Sequence, residues 1–365
     1  MHQGSWMEVG RLFFVLGTTA FGGPAAHIAR MREELVVKRH WLTEQKFIDL
    51  VGATNLIPGP NSTELAIHIG YERVGWKGLL AAGIGFIVPA VSLTILLAWL
   101  YVTYGQLPAV KPFFIGVTPA LFGIIAKAVF PMLRSALKSA ELIVLGCVVF
   151  AGSLFGLNEL FLLFGAGFTG LMLNWVRSRQ LVFLPLLTVG SLLKLSGNWK
   201  LFFVFLKVGS ILYGSGYVLF AFLEAELVDT GMLERDVLLD AIAAGQFTPG
   251  PVFSSVAFVG FYLNGLSGAL VSALGIFLPS FVFVALIRPI VRWLRNSPVF
   301  AAFLNAVNVA SVALIATVCL DMLHDAATHW STLLIAIICG ILSFTTKWNS
   351  VFILIVGSGL GFVLR

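Results

Sequence analysis

Two Pro-Gly-Pro tripeptides, Pro58-Gly59-Pro60 and Pro249-Gly250-Pro251, each interrupt an apolar run. The stretches read NLIPGPNSTELAIHIGY, Asn55 to Tyr71, and QFTPGPVFSSVAFVGFY, Gln246 to Tyr262. Proline removes a backbone donor and blocks the preceding helical turn. In apolar surroundings the freed peptide groups have no water, so such a break survives only when buried in protein or lining a cavity. The fold must supply that place twice.

The surroundings are those of a polytopic membrane protein. Of 365 residues, 59% are hydrophobic and 11% charged, against roughly 25% charged in soluble domains. Apolar runs near 78–103, 112–133, 139–157, 159–176, 266–287, 298–320, 330–346 and 350–364 approach the roughly 17–25 residues of a spanning helix. The amino terminus, MHQGSWMEVGRLFFVLG, has no basic n-region and no small-residue cleavage site. No removable signal peptide is expected there. Cys147, Cys319 and Cys339 lie in apolar runs without CxxC spacing and read as packing residues. Neither a cofactor nor a metal is expected, and nothing points to nucleic acid.

The chain is a tandem duplication. A shift of about 190 residues lays Pro58-Gly59-Pro60 on Pro249-Gly250-Pro251, Asp49 on Asp240 and Tyr71 on Tyr262. With one residue dropped, Gly78, Gly85 and Pro89 meet Gly268, Gly275 and Pro279, and FGGP at 21–24 lies over YGSG at 213–216. The division is a first repeat over 1–176, a hydrophobic connector over 177–200 and a second repeat over 201–365.

Equivalent loops carry opposite charge. Residues 24–46 hold Arg30, Arg32, Lys38, Arg39 and Lys46 against Glu33, Glu34 and Glu44, whereas 217–236 holds Glu224, Glu226, Asp229, Glu234 and Asp236 against Arg235 alone. Basic loops mark the cytoplasmic side, so the repeats are expected to be inverted. The expected class is all-α, with two inverted-topology repeats, each containing a broken or re-entrant PGP helix. Either the first element of each half crosses and 181–195 lies in-plane, or those elements are re-entrant and 181–195 crosses.

Each break is expected to separate two half-helices. The second begins at Asn61-Ser62-Thr63 in one copy, residue types that cap helix starts, and near Val252-Phe253-Ser254-Ser255 in the other. A helix start carries free N–H donors and about half a positive charge, which suits an anion. Inverted repeats with broken helices meeting near the midplane are a transporter plan. The competing reading is a pair of kinked helices whose prolines only pack.

FGGPAAHIARM, WLTEQKFIDLVGATNLIPGPNSTELAIHIGY, GFIVP, GQFTPGPVFSSVAFVGFY and GIFLPSFVF resemble the chromate transporter family in its full-length, two-repeat form. The resemblance covers nearly the whole chain. It implies a multi-pass protein of the bacterial inner membrane that exports chromate and confers chromate resistance, with sulfate as the physiological look-alike. The second copy departs at Ser215, where the first has Gly23, and at Val252, where it has Asn61.

The candidate substrate-binding residues are the two tripeptides with Asn61, Ser62, Thr63, Ser254 and Ser255, joined by Gly22, Gly23, Gly214 and Ser215 of the glycine-rich blocks. Asn55 and Gln246 precede the breaks and either donate to an oxyanion or cap the preceding half-helix. Lys127, within 112–133, either faces the site or snorkels. Two helix starts plus Lys127 would offer roughly two positive charges to a dianion. Glu64 and His68 share a helix face and are either proton-coupling or gating groups, or a pair that fixes the hairpin. His27 and Arg30 either line a cytoplasmic entrance or belong to a solvated helix. The rival functions are an anion channel, a transporter of sulfate or another physiological anion, and an intramembrane enzyme using Glu64 and His68. The partners expected are the oxyanion and the lipid bilayer, and a homodimer is compatible with all of these readings.

Overall fold

The computed structural model describes residues 4–21, 23–105, 107, 111–178, 197–213, 216–287 and 297–364. Among them every regular element is helical. The first repeat contains α1 (Trp6–Thr19), α2 (Gly23–Arg32) running into a π-helical turn (Glu33–Lys38), α3 (Glu44–Thr54), α4 (Asn61–Val74), α5 (Trp76–Tyr104), α6 (Lys111–Ala136), α7 (Ala140–Leu154) and α8 (Glu159–Ser178). The second contains α9 (Asn198–Ile211), α10 (Val218–Leu223) with its own π-helical turn (Glu224–Val228), α11 (Arg235–Phe247) and a short 3-10 turn (Val252–Ser254). It continues with α12 (Ser255–Ile287), α13 (Pro298–Ala326), α14 (Trp330–Thr345) and α15 (Ser350–Val363). The connector segment 181–195 lies outside the described residues.

The duplication is visible in backbone detail. Gly75, with φ +69° and ψ −146°, separates α4 from α5. Gly265, with φ +62° and ψ −155°, bends α12 at the equivalent point. Such dihedrals favour glycine because a Cβ would be strained there. Packing repeats as well. Gly17 of α1 lies against the Phe86 carbonyl of α5, and Gly209 of α9 lies against the Ile276 carbonyl of α12. A methyl group at Gly17 would come within 2.6 Å of that oxygen, so glycine sets the close approach of each first helix to its long neighbour.

Four helical stretches, Trp76–Tyr104, Phe114–Arg134, Val252–Leu286 and Pro298–Ala326, are long and apolar enough to cross a membrane. They fall two in each repeat. The first helices α1 and α9 have 14 residues each, about 21 Å at 1.5 Å per residue, short of a hydrocarbon layer of roughly 30 Å. Apolar side chains of α5 and α12 point outward as well as inward: Leu80, Ile84, Leu96, Leu266, Leu270 and Leu274 are exposed. In water such a surface would aggregate; against lipid it is matched.

Candidate functional site at the two helix breaks

Both tripeptides form buried, non-helical backbone. Helix α3 ends at Thr54 and α4 starts at Asn61; α11 ends at Phe247 and helical structure resumes at Val252. Gly59 has φ +133° and Gly250 has φ +89°, which explains glycine between the prolines. With proline on both sides, the glycine carries the only N–H of each tripeptide. The Gly59 N–H donates to the Leu212 carbonyl at 2.8 Å, and the Gly250 N–H donates to the Ala20 carbonyl at 2.9 Å. Ala20 and Leu212 are the residues that end α1 and α9, where carbonyls have no partner in their own helix. Each break therefore closes the open end of the other repeat's first helix. A contact that runs reciprocally between equivalent positions is the mark of a two-fold relation.

No side chain caps the start of α4, whose N-cap is Pro60. The expected capping by Asn61, Ser62 and Thr63 gives way to other bonds. Asn61 donates to Asn55 across the break at 2.9 Å, and Ser62 Oγ lies 3.2 Å from His27 Nδ1. Asn55 is thereby the clasp of the first hairpin, at its exposed edge. The His27 ring, buried against Phe86, also lies against the Ala20 carbonyl. It thus links the acceptor of Gly250 to the first turn of α4.

Glu64 is fully buried, and neither carboxyl oxygen has a hydrogen-bond partner among the described residues. Its Oε1 folds back over Gly59, where any Cβ would collide with it. Ser280 Oγ, from α12, comes within 2.9 Å of the same point and is likewise without a hydrogen bond. Thr63 Oγ1 is buried and also lacks a partner among the described residues. His68 is buried one turn further along α4.

The second break keeps the frame and changes the chemistry. Ala90 Cβ approaches Gly250 as Ser280 approaches Gly59, again at 2.9 Å from the Cβ position. Ser255 stands where the first repeat has Glu64. Thr94 of α5 donates to Ser254 at 3.1 Å and lies 3.4 Å from Thr248, so three buried hydroxyls form one cluster. Ser255 Oγ has no hydrogen-bond partner among the described residues, and the Gln246 side chain meets the Tyr217 hydroxyl. That hydroxyl also comes within 3.7 Å of the Cβ position at Gly23, whose φ is +81°, tying the glycine block of the first repeat to the second.

The remaining candidates lie elsewhere or outside the described residues. Lys127 Nζ donates to the Thr346 carbonyl at the end of α14, a cation at a helix C-terminus. Arg30 is half exposed and pairs with Glu33. Gly22, Gly214 and Ser215 lie outside the described residues. Thr94, Thr248, Tyr217, Ser280 and the carbonyls of Ala20 and Leu212 join the site beyond the residues expected from sequence. The hydroxyls inside the apolar runs VSLTIL and FLPSF were the available signal, and backbone carbonyls carry none.

Buried hydroxyls, an amide, a carboxyl group and an uncapped helix start at paired breaks can hold a small anion stripped of water. With long apolar helices and two cross-braced repeats around them, they define a membrane transporter of the broken-helix, repeated type. The chromate transporter family profile matches residues 7–171 and 199–362, and the chain belongs to that family. A probable chromate transport protein of Synechococcus elongatus is 29% identical, over 94% of this chain and 90% of its own. The chromate transport protein of Cupriavidus metallidurans is 28% identical, over 95% of this chain and 90% of its own. An uncharacterized transporter of Methanocaldococcus jannaschii is 27% identical, over 96% and 92% respectively. No solved structure matches the chain.

Proposed function

We propose that the protein is a secondary transporter that exports chromate, or a sulfate-like tetrahedral oxyanion, across the bacterial inner membrane, with the anion held where the two breaks meet the opposite repeat. The observation that carries this is the reciprocal pair of Gly59–Leu212 and Gly250–Ala20 hydrogen bonds, with unpartnered buried polar groups beside both tripeptides. An anion there touches both repeats, so relative movement of the repeats alters access to it.

The site comprises the two tripeptides, Ser62, Thr63, Glu64, Ser254 and Ser255, extended by Thr94, Thr248 and Ser280. Lys127 is placed outside it, because its ammonium serves the end of α14. The repeats are read as inverted across the membrane, since equivalent turns carry Lys38 in one copy and Asp229 in the other and basic residues stay inside.

Export is downhill for a dianion leaving an inside-negative cell. The test is flux of labelled sulfate and of chromate in proteoliposomes, with and without a membrane potential and a pH gradient. Saturable flux of either anion supports the reading. Steady ionic conductance without saturation would make the protein a channel, and no flux of either anion would defeat the oxyanion assignment.

A further inference from the structure

We propose that the first-repeat break binds its oxyanion together with one proton, shared between Glu64 and an anion oxygen, and so prefers a basic oxyanion such as chromate to sulfate. The inference rests on the oxyanion reading above and adds to it a residue that selects the substrate.

Three groups converge on one spot. The Glu64 carboxyl lies over Gly59, Ser280 Oγ faces the same point from the other repeat, and the start of α4 has no side-chain cap. Only glycine leaves room for this arrangement, because a Cβ at residue 59 would occupy the place of the carboxyl oxygen. The spot is closed to bulk solvent: Glu64, Thr63 and Ser280 are each 0% exposed.

No fixed cation balances Glu64 among the described residues. Among the described residues the titratable groups around it are His27 from α2, which bonds Ser62, His68 on α4 itself, and Tyr213 just beyond α9, an electrostatic neighbour of Glu64. Helices α1, α3 and α5 bring apolar residues to α4, among them Leu12, Phe47 and Phe86. Besides Ser280, α12 contributes Phe281 and Val284.

A dianion beside an ionised carboxylate would place three negative charges there, against roughly half a positive charge from the helix start. Two acidic groups forced that close share a proton. The complex is the same whether a neutral Glu64 donates to the dianion or an ionised Glu64 accepts from a singly protonated anion. Chromate oxygens take up a proton near neutral pH, whereas sulfate oxygens do so only in strong acid. Sharing a proton therefore favours chromate. A glutamine at this position would donate its amide to either anion and carry no proton.

The experiment is calorimetric titration of the purified full-length protein with chromate and with sulfate, at mildly alkaline pH where both are dianions, with infrared difference spectra taken before and after chromate is added. The wild type is expected to show a protonated-carboxyl band that shifts when chromate binds, whether Glu64 held that proton beforehand or took it up on binding. Glu64→Gln is expected to lack that shifted band, and its preference for chromate over sulfate should fall about tenfold or more, the scale of one hydrogen bond to a charged group. A wild-type chromate complex with no protonated-carboxyl band that responds to chromate would overturn the proposal. So would a Glu64→Gln protein that keeps the preference. Absence of binding by either anion to the wild type would instead remove the oxyanion reading, and this proposal with it. The wild-type band needs no variant, so it decides the matter even if Glu64→Gln fails to fold.

Discussion

Gly59 and Leu212 are 153 positions apart, yet the Gly59 N–H donates to the Leu212 carbonyl at 2.8 Å. Gly250 repeats the bond to Ala20 at 2.9 Å in the opposite direction along the chain. These two bonds join the breaks of one repeat to the helix ends of the other. Any motion of one repeat against the other must either break them or carry them along.

Replacing either glycine should therefore damage both repeats. Gly59→Ala forces a non-glycine residue to φ +133° and drives its Cβ into Glu64; Gly250→Ala does the same at φ +89° and against Ala90. A residue held in such a conformation costs about 1–3 kcal/mol. The expected outcome is a lowered Tm for each variant and a loss of most chromate flux in proteoliposomes. Unchanged flux in Gly250→Ala would mean that the second break takes no part.

The inverted arrangement can be read with single cysteines. Lys38 ends the first π-helical turn, Asp229 directly follows the second, and both are exposed. In a background where the exposed Cys147 is replaced by serine, Lys38→Cys should react with an impermeant maleimide only from the cytoplasm. Asp229→Cys should react only from outside. Labelling of both from the same side would exclude inversion.

Thr94 is the first-repeat member of the hydroxyl cluster at the second break. Thr94→Val preserves shape and removes the bond to Ser254. With the Thr94 hydroxyl contributing one hydrogen bond to the anion, about 0.5–1.5 kcal/mol, chromate affinity should fall by roughly threefold to tenfold, and loss of the internal bond should lower Tm slightly. Ser343→Ala, at a buried serine of α14, is the control and should leave affinity unchanged.

Lys127→Gln separates a helix-end role from a substrate role. Loss of a cation at a helix C-terminus costs about 0.3–1 kcal/mol. A small drop in Tm with chromate affinity intact is expected by calorimetry. A large loss of affinity would return Lys127 to the site.

Efflux should follow the membrane potential. Moving one charge through 100 mV releases about 2.3 kcal/mol, equivalent to about a fiftyfold concentration ratio. If one proton accompanies a dianion, one net negative charge leaves per chromate, and inside-negative vesicles should drive chromate outward toward a ratio of up to that size. Equal flux at zero and inside-negative potential, with binding intact, would indicate charge-compensated exchange.

Much of this was legible in the residues. The Pro-Gly-Pro breaks, the duplication and the helical, lipid-facing character follow from spacing and composition, because proline chemistry and apolar periodicity act within a few residues. The π-helical turns at Glu33–Lys38 and Glu224–Val228 lie in the loops whose opposite charges suggested inversion. Capping differs from the expectation. Asn61 and Ser62 have the right identity for a helix start but bond Asn55 and His27 instead, since a residue type indicates only what a side chain can do locally.

By itself the sequence determined that there would be two broken helical hairpins in two related halves, for the physical reason that a missing N–H and a fixed φ need no distant partner to break a helix. Tertiary structure alone decided what fills each break. It set the Gly59 donor on Leu212, brought Ser280 of α12 to the Glu64 carboxyl, and sent Lys127 to the Thr346 carbonyl rather than to the breaks. Each of those choices joins groups far apart along the chain. Backbone carbonyls look alike in sequence, and a serine in an apolar helix does not state which neighbour it will face. Only packing at the close glycine contacts, such as Gly17 on Phe86, fixes the distances and directions that select among them.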